Sequence, residues 1–178
     1  MAGTYKIPFS KMHGAGNDFI IINQIDHDYN LSAQQIKEFS NRNFGIGFDQ
    51  LLIIEKSTHP NAEFKYRIFN ADGEEVIQCG NGARCFFHYL KLKELTKKDV
   101  LMVETHSGLI ELSYTENKLI AVDMGKPIFQ NSKIPFNPSK SSENIIIFNN
   151  QKYKFYPISM GNPHAVIKIT TFDNIDFI

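Results

Sequence analysis

The stretch Asn70-Ala-Asp-Gly-Glu-Glu-Val-Ile-Gln-Cys-Gly-Asn-Gly-Ala-Arg-Cys85 decides how this chain should fold. Its first four residues have the chemistry of a turn, and the pair Val76-Ile77 is typical of a short apolar strand. Gly80 and Gly82 then let the backbone bend and approach another group closely. The stretch therefore predicts a turn, a strand and a glycine-rich start to a helix.

The helix is predicted over about residues 81–95, because Ala83, Phe86 and Leu90 recur on one face at helical spacing. Cys79 should therefore lie at the helix N-terminus. The first N–H groups of a helix have no internal partners, and the helix dipole favours negative charge there. A cysteine in such a place is typically a reactive nucleophile or base.

The same helix start predicts a carboxylate-binding site, formed by the N–H groups of Gly80, Asn81 and Gly82. The alternative for Cys79 is a buried structural cysteine that follows a strand, which is a common role for a free thiol. The flanking glycines favour the functional interpretation.

Cys85 is predicted to be a packing residue, on the helix side that it shares with Tyr89 and Leu92. Five residues separate it from Cys79, and this spacing matches neither a redox motif of the Cys-x-x-Cys type nor a usual zinc pair. Two cysteines do not make a disulfide framework, so a cytoplasmic protein is expected.

Composition limits the classes of partner. The chain has 178 residues, enough for one domain, or for one domain with part of another. Lys+Arg equals Asp+Glu at 19 each, so no basic excess indicates a nucleic acid or an anionic membrane. No apolar run approaches the length of a membrane span, and the first residues do not resemble a signal peptide.

Other elements follow from local patterns. Ser32 and Gln35 form a capping box that predicts a helix over residues 32–41. Residues 13–18 are predicted to be a loop, whose glycines match a nucleotide-binding motif only weakly. Strands or extended segments are predicted over residues 5–12, 19–22, 51–55, 64–69, 100–104, 109–114, 119–123, 145–148, 152–160 and 165–169.

One short pattern occurs twice. Met12-His-Gly-Ala-Gly-Asn17 precedes an apolar strand, and Met160-Gly-Asn-Pro-His164 precedes another. The pattern suggests two similar halves. Cys79 lies 62 residues after Asn17, and the same offset from Asn162 reaches position 224, beyond Ile178. A second cysteine-bearing helix is therefore expected in this fold, but outside this sequence.

These motifs resemble the diaminopimelate epimerase family. The resemblance rests on Lys11-Met-His-Gly-Ala-Gly-Asn-Asp-Phe19, Gly47-Phe-Asp-Gln50, Phe69-Asn-Ala-Asp-Gly73, Gln78-Cys-Gly-Asn-Gly-Ala-Arg-Cys85, Thr105-His-Ser-Gly108 and Met160-Gly-Asn-Pro-His164. It implies an α/β (α+β) fold of two pseudo-symmetric domains, each a sheet wrapped around a central helix. Here the domains would be residues 1–122, with Cys79, and residues 123–178, an incomplete second domain.

The resemblance also implies a function. It implies interconversion of LL- and meso-diaminopimelate by two thiols, without pyridoxal phosphate or metal, in lysine and peptidoglycan precursor synthesis. The resemblance further implies a cytoplasmic protein that is a homodimer when full length. Cys79 matches one catalytic thiol. The matches to substrate-binding positions are Asn17, Gln50, Asn70 and Asn162 for amino and carboxylate groups, and Gly80 and Asn81 for the α-carboxylate. His164 could lie near the site or serve in packing.

The partner cysteine of the family's second half is absent from this sequence. Racemisation through a carbanion needs a base on one face and an acid on the other, so the chain alone is expected to be inactive. Two alternatives remain open. One is an inert or ligand-binding fragment, and the other is a Cys–His acyl transferase or peptidase that uses Cys79 as its nucleophile.

Overall fold

The computed structural model describes residues 6–77, 79–135, 144–148 and 150–171. The chain divides into two compact units, Met1–Met124 and Gly125–Ile178. The domain boundary predicted between residues 122 and 123 stays a prediction. Within the described ranges, no helix is both long enough and apolar enough to cross a membrane.

In its described residues the first unit is a mixed α+β structure with one large sheet and two α-helices. Its strands are β1 Ser10–Gly14, β2 Asn17–Asn23, β3 Gln50–Lys56, β4 Phe64–Asn70, β5 Glu75–Val76, β6 Val100–Thr105, β7 Gly108–Tyr114 and β8 Ile120–Asp123, and its helices are α1 Ala33–Ser40 and α2 Gly80–Leu92. The sheet order is β1-β2-β3-β4-β6-β7-β8, with β5 paired to β4. The pairs β2–β3 and β4–β6 are parallel, and the others are antiparallel.

The sheet curls around α2, because this helix contacts both edge strands, β1 and β8. The predicted apolar face of the helix is confirmed, since Ala83, Phe86 and Leu90 are completely buried. Inward side chains of the strands complete this core, among them Phe19, Ile21, Leu52, Ile54, Tyr66 and Ile68. Burying each large apolar side chain contributes about 2 kcal/mol, so the helix is fixed by the sheet that surrounds it.

The opposite face of the sheet is covered by α1. The predicted capping box is confirmed: Ser32 Oγ accepts from the Gln35 N–H, and the Gln35 side chain accepts from the Ser32 N–H. Ile36 of α1 then packs on Ile22 and Ile53. A cleft of about 370 Å³ lies on this face; its lining includes Gln24, His27, Asp28, Glu55, Arg67 and Phe69.

The loop predicted over residues 13–18 is shorter in the structure. His13 pairs with Asp18 and Gly14 with Asn17, so only Ala15 and Gly16 connect β1 to β2. Both have positive φ, 54° and 84°, as a tight two-residue hairpin turn requires. Asn17 is therefore the first residue of β2, and it pairs with Gly14 across the hairpin.

The second unit contains strands β9 Ile145–Phe148, β10 Gln151–Ser159 and β11 Pro163–Ile167, in the antiparallel order β11-β10-β9. A further bridge joins Ile128 to Ser159. Among its described residues this unit has no α-helix, and apolar side chains such as Ile147 are exposed.

Helix α2 is shorter than predicted, ending at Leu92 with Lys93 as its C-cap. Leu92 was expected to share the packed side with Cys85 and Tyr89, and this is wrong because its side chain is 64% exposed. It lies in the last turn on the solvent side of the helix, as the exposed His88 does, whereas Leu90 of the same turn is completely buried.

Gly73 should be essential to the turn that precedes β5. It has φ of +88°, and a Cβ there would lie 2.6 Å from the Ala33 main chain. Gly73→Ala should therefore lower the free energy of unfolding by about 3 kcal/mol, because strain and a backbone clash add. Urea denaturation, monitored by circular dichroism, measures this loss of stability.

Gly16→Ala is the matched control. Gly16 has φ of +84° but nothing within 4 Å of an added Cβ, so only strain remains, at about 1 kcal/mol. Equal losses in the two variants would show that the contact between the turn and α1 is unimportant.

Candidate active site

Cys79 is the N-cap of α2, as predicted. Its backbone is extended, with φ −148° and ψ 112°, and its carbonyl accepts from Ala83 N–H at 2.9 Å. The Gly82 N–H donates to its sulfur at 3.4 Å. A donor at the positive end of a helix stabilises negative charge on the sulfur, so the local fold suits a thiolate.

Asn17 provides the opposite kind of contact. The Cys79 thiol donates to Asn17 Oδ1 across 3.7 Å. Carbonyl oxygen only accepts hydrogen bonds, so this contact stabilises the protonated thiol, whereas Gly82 stabilises the thiolate. Both protonation states of the sulfur therefore have a partner, which a group that takes up and returns a proton requires.

Gln50 and Asn70 lie side by side at the ends of β3 and β4. They are directly paired across the strands, and Gln50 Nε2 donates to Asn70 Oδ1 at 2.9 Å. The other amide atom, Gln50 Oε1, is buried and has no hydrogen-bond partner among the described residues. A buried acceptor without a partner is unfavourable, and a ligand ammonium group would satisfy it.

Strand parity places these amides on the face that covers α2. Alternate residues of a strand share a face, and Asn17 has the parity of Phe19, as Gln50 has that of Leu52. Phe19 and Leu52 surround the first turn of α2, where a Cβ added to Gly82 would lie 3.4 and 3.2 Å from them. Asn17 and Gln50, the first residues of β2 and β3, therefore lie beside the start of α2 at one end of the strands.

Gly80 and Asn81 form the first turn of α2, as predicted, and belong to the helix positions whose N–H groups lack helical partners. The Asn81 side chain accepts from Arg84, and its carbonyl lies near Gly14 of the β1–β2 hairpin. Its side chain is therefore used within the protein, while the main chain offers the anion-binding groups.

Tyr66 also adjoins Cys79, and sequence reasoning missed it. Its ring packs on Phe86 with centroids 5.1 Å apart, and its hydroxyl is buried beside the Cys79 backbone. Burial raises the pKa of Tyr66, and the charge of the Cys79 thiolate raises it further. In the sequence, Tyr66 is one apolar residue of an alternating strand, and nothing in that pattern indicates its position.

Cys85 has the packing role that was predicted. It is 4% exposed, within the core formed by α2 and the sheet. Burial raises the pKa of the Cys85 thiol. It is therefore a poor candidate for proton transfer.

Asn162 lies in the turn between β10 and β11 of the second unit, and His164 is the second residue of β11. The Met160 N–H donates to Asn162 O at 3.1 Å, and His164 Nδ1 is 3.0 Å from the same oxygen. Gly161 has φ of +97°, which glycine adopts without strain. The substrate-binding role of Asn162 stays a prediction.

The described residues give no support to a Cys–His nucleophile. The hydrogen bonds of the Cys79 sulfur within these ranges are to Asn17 and Gly82, and neither is a histidine. Within the same ranges, no three His, Cys, Asp or Glu side chains are grouped so that they could hold a metal ion.

Comparison with solved structures identifies the class of fold. A hydroxyproline epimerase from Agrobacterium vitis matches with a TM-score of 0.63 and 12% identity, over 89% of this chain and 50% of that one. A probable proline racemase from Agrobacterium radiobacter matches at 0.62 and 14%, over 91% and 52%. A PhzF-family phenazine biosynthesis protein from Bacillus anthracis matches at 0.55 and 20%, over 90% and 54%.

The fold is thus that of the epimerases, racemases and related proteins of this structural class, and the chain spans about half the length of the structures it matches. The family model described as diaminopimelate epimerase matches residues 9–130, more than half of the chain. The chain belongs to the diaminopimelate epimerase family, whose named reaction is an isomerisation.

Iodoacetamide should label Cys79 before Cys85 in the native chain. Cys79 is partly exposed with a donor on its sulfur, whereas Cys85 is buried, and alkylation needs an accessible thiolate. Mass spectrometry of proteolytic peptides over time measures both rates. Cys79→Ser should leave only slow labelling, and faster modification of Cys85 would contradict the assignment.

Proposed function

We propose that this chain provides one thiol of a cofactor-independent diaminopimelate epimerase, which interconverts LL- and meso-diaminopimelate in lysine and peptidoglycan precursor synthesis. The observation that supports the proposal most is the environment of Cys79. Its sulfur has an N–H donor on one side and an amide acceptor on the other, at the start of a buried helix.

The substrate is a zwitterion, so its binding site needs both donors and acceptors. Its α-carboxylate would bind the N–H groups of Gly80 and Asn81, where the helix dipole favours negative charge. Its ammonium group would bind amide oxygens, and Gln50 Oε1 is a buried acceptor without a partner among the described residues. Asn17 and Asn70 add amides, which offer donors and acceptors together.

Cys79 would act as the base. The thiolate takes the α-hydrogen as a proton, and the electron pair of the C–H bond remains on the α-carbon, delocalised into the carboxylate. The N–H groups of the helix start stabilise the charge that develops on the carboxylate oxygens. The new thiol then donates to Asn17 Oδ1. Its hydrogen exchanges with solvent water, and transfer of the solvent-derived proton to the α-carbon regenerates the thiolate.

Inversion requires a second proton carrier on the opposite face of the substrate. The chain contains two cysteines, and Cys85 is buried in the core, about 9 Å along the helix from Cys79 at 1.5 Å per residue. We therefore propose that the chain by itself exchanges the α-hydrogen with retention of configuration. Epimerisation and the homodimer would belong to a longer protein that supplies the second thiol.

The test is incubation of the 178-residue chain with LL-diaminopimelate in deuterated water. We expect slow deuterium incorporation at the α-carbon, measured by mass spectrometry, without the meso-isomer, measured by chiral chromatography. Cys79→Ser should abolish exchange, because the base is lost, and Cys85→Ala should retain it.

Three results would contradict the proposal. Absence of both binding and exchange would favour an inert fragment. Efficient meso-isomer formation that depends on Cys79 would show that one thiol suffices. Exchange with an aldimine absorbance that borohydride removes would indicate pyridoxal phosphate chemistry instead.

A further inference from the structure

The side-chain amide of Asn17 is held at both ends. Its Nδ2 donates to Asp49 Oδ2 at 3.1 Å, and its Oδ1 faces the Cys79 sulfur at 3.7 Å. An ionised carboxylate can only accept hydrogen bonds. The group next to Asp49 must therefore be the NH₂ of the amide, which leaves the carbonyl oxygen toward the thiol.

Asp49 is itself fixed by its neighbours. Its Oδ2 also accepts from the Asp18 N–H at 3.0 Å, and its Oδ1 accepts from Arg42 at 2.8 Å. The Arg42 guanidinium in turn binds both carboxylate oxygens of Asp18, at 3.1 and 2.8 Å, and Lys11 of β1 binds Asp18 at 2.8 Å. The Asp49 carboxylate is thus connected to β1, β2 and the segment after α1.

We infer that Asp49 is a positioning residue that fixes the Asn17 carbonyl oxygen against the Cys79 sulfur. If the amide turned over, its NH₂ would donate to the sulfur and hold the negative charge there as a second donor beside Gly82. With Asp49 present, Asn17 accepts from the thiol and gives the thiolate no donor, which makes the thiolate a stronger base and favours proton transfer from substrate to Cys79.

This inference rests on the proposed function for the identity of the proton that Cys79 carries, but its geometry does not involve substrate. Among the described residues, the titratable groups that interact with Cys79 are Tyr66 from β4 and, farther along α2, Cys85, whose pKa values the Cys79 charge raises. Asp49 differs from them because it is linked to the sulfur through an amide that can turn.

The test variant is Asp49→Asn in the otherwise unchanged 178-residue chain. The new side chain has the same shape but lacks the charge that selects the NH₂ end of the Asn17 amide, so this amide is released to turn and donate to the thiolate. We expect Cys79 to react with iodoacetamide about three- to tenfold faster near neutral pH. The rate–pH profile should move to lower pH by about half to one unit.

Asp18→Asn is the matched control. It makes the same chemical change in the same ionic cluster, but within the described residues the hydrogen bonds of the Asp18 side chain come from Arg42, Lys11 and the Asp49 N–H and not from the Asn17 amide. Arg42 holds the pKa of the Asp18 carboxyl well below its usual range. Asp18→Asn should therefore lower the melting temperature and leave the rate–pH profile of Cys79 in place.

A double-mutant cycle separates orientation from charge. If Asp49 acts through Asn17, Asp49→Asn should shift the profile in the wild-type chain and not in the Asn17→Ala background. An equal shift in both backgrounds would mean that the Asp49 charge acts directly. An unchanged profile in Asp49→Asn, or the same shift in Asp18→Asn, would also overturn the inference.

Asp49→Ser provides a second variant if Asp49→Asn does not fold, since it also removes the carboxylate acceptor, and the same shift is expected. The outcome is independent of the deuterium experiment. A labelling shift without α-hydrogen exchange would leave the positioning role standing and remove the proposed function. Exchange of the α-hydrogen without a labelling shift would overturn the positioning role of Asp49 and leave the proposed function standing.

Discussion

The burial of α2 inside the curled sheet is the interaction on which the rest of the structure depends. The first turn of the helix fits because Gly82 has no side chain, and an added Cβ would lie 3.2 Å from Leu52 and 3.4 Å from Phe19. Ala83 and Phe86 follow directly into the core and are completely buried. Since interiors are closely packed, this contact determines where the helix N-terminus lies relative to the strand ends.

The position of that N-terminus explains why polar side chains at the strand ends lie beside Cys79. Side chains alternate along strands, so a strand whose middle residues face α2 presents its end residue to the first turn of the helix. Asn17, Gln50 and Asn70 are such end residues. The core thus brings three amides and Cys79 to one edge, although they are far apart in sequence. The ionic cluster around Asp18 and Asp49 then fixes one of these amides.

Much of this could be predicted from local sequence. The turn, the two glycines and the apolar spacing predicted a helix over about residues 81–95 with Cys79 at its N-terminus, and the Ser32 capping box predicted the other helix. Both helices are confirmed, although the first ends at Leu92. Tyr66 and Asp49 could not be assigned, because their importance comes from neighbours in other strands. The exposure of Leu92 was missed because helical periodicity does not show how wide a face of the helix the sheet covers, and Leu90 of the same turn is completely buried.

We propose that substrate binds at the start of α2, beside the side-chain amides of Asn17, Gln50 and Asn70. Titration of the ¹⁵N-labelled chain with meso-diaminopimelate, followed by NMR, tests it most directly. We expect the largest shifts at the backbone amides of Gly80 and Asn81 and at the side-chain amides of Gln50 and Asn70. Shifts confined to the cleft on the opposite face of the sheet, near Arg67 and Phe69, would contradict the claim.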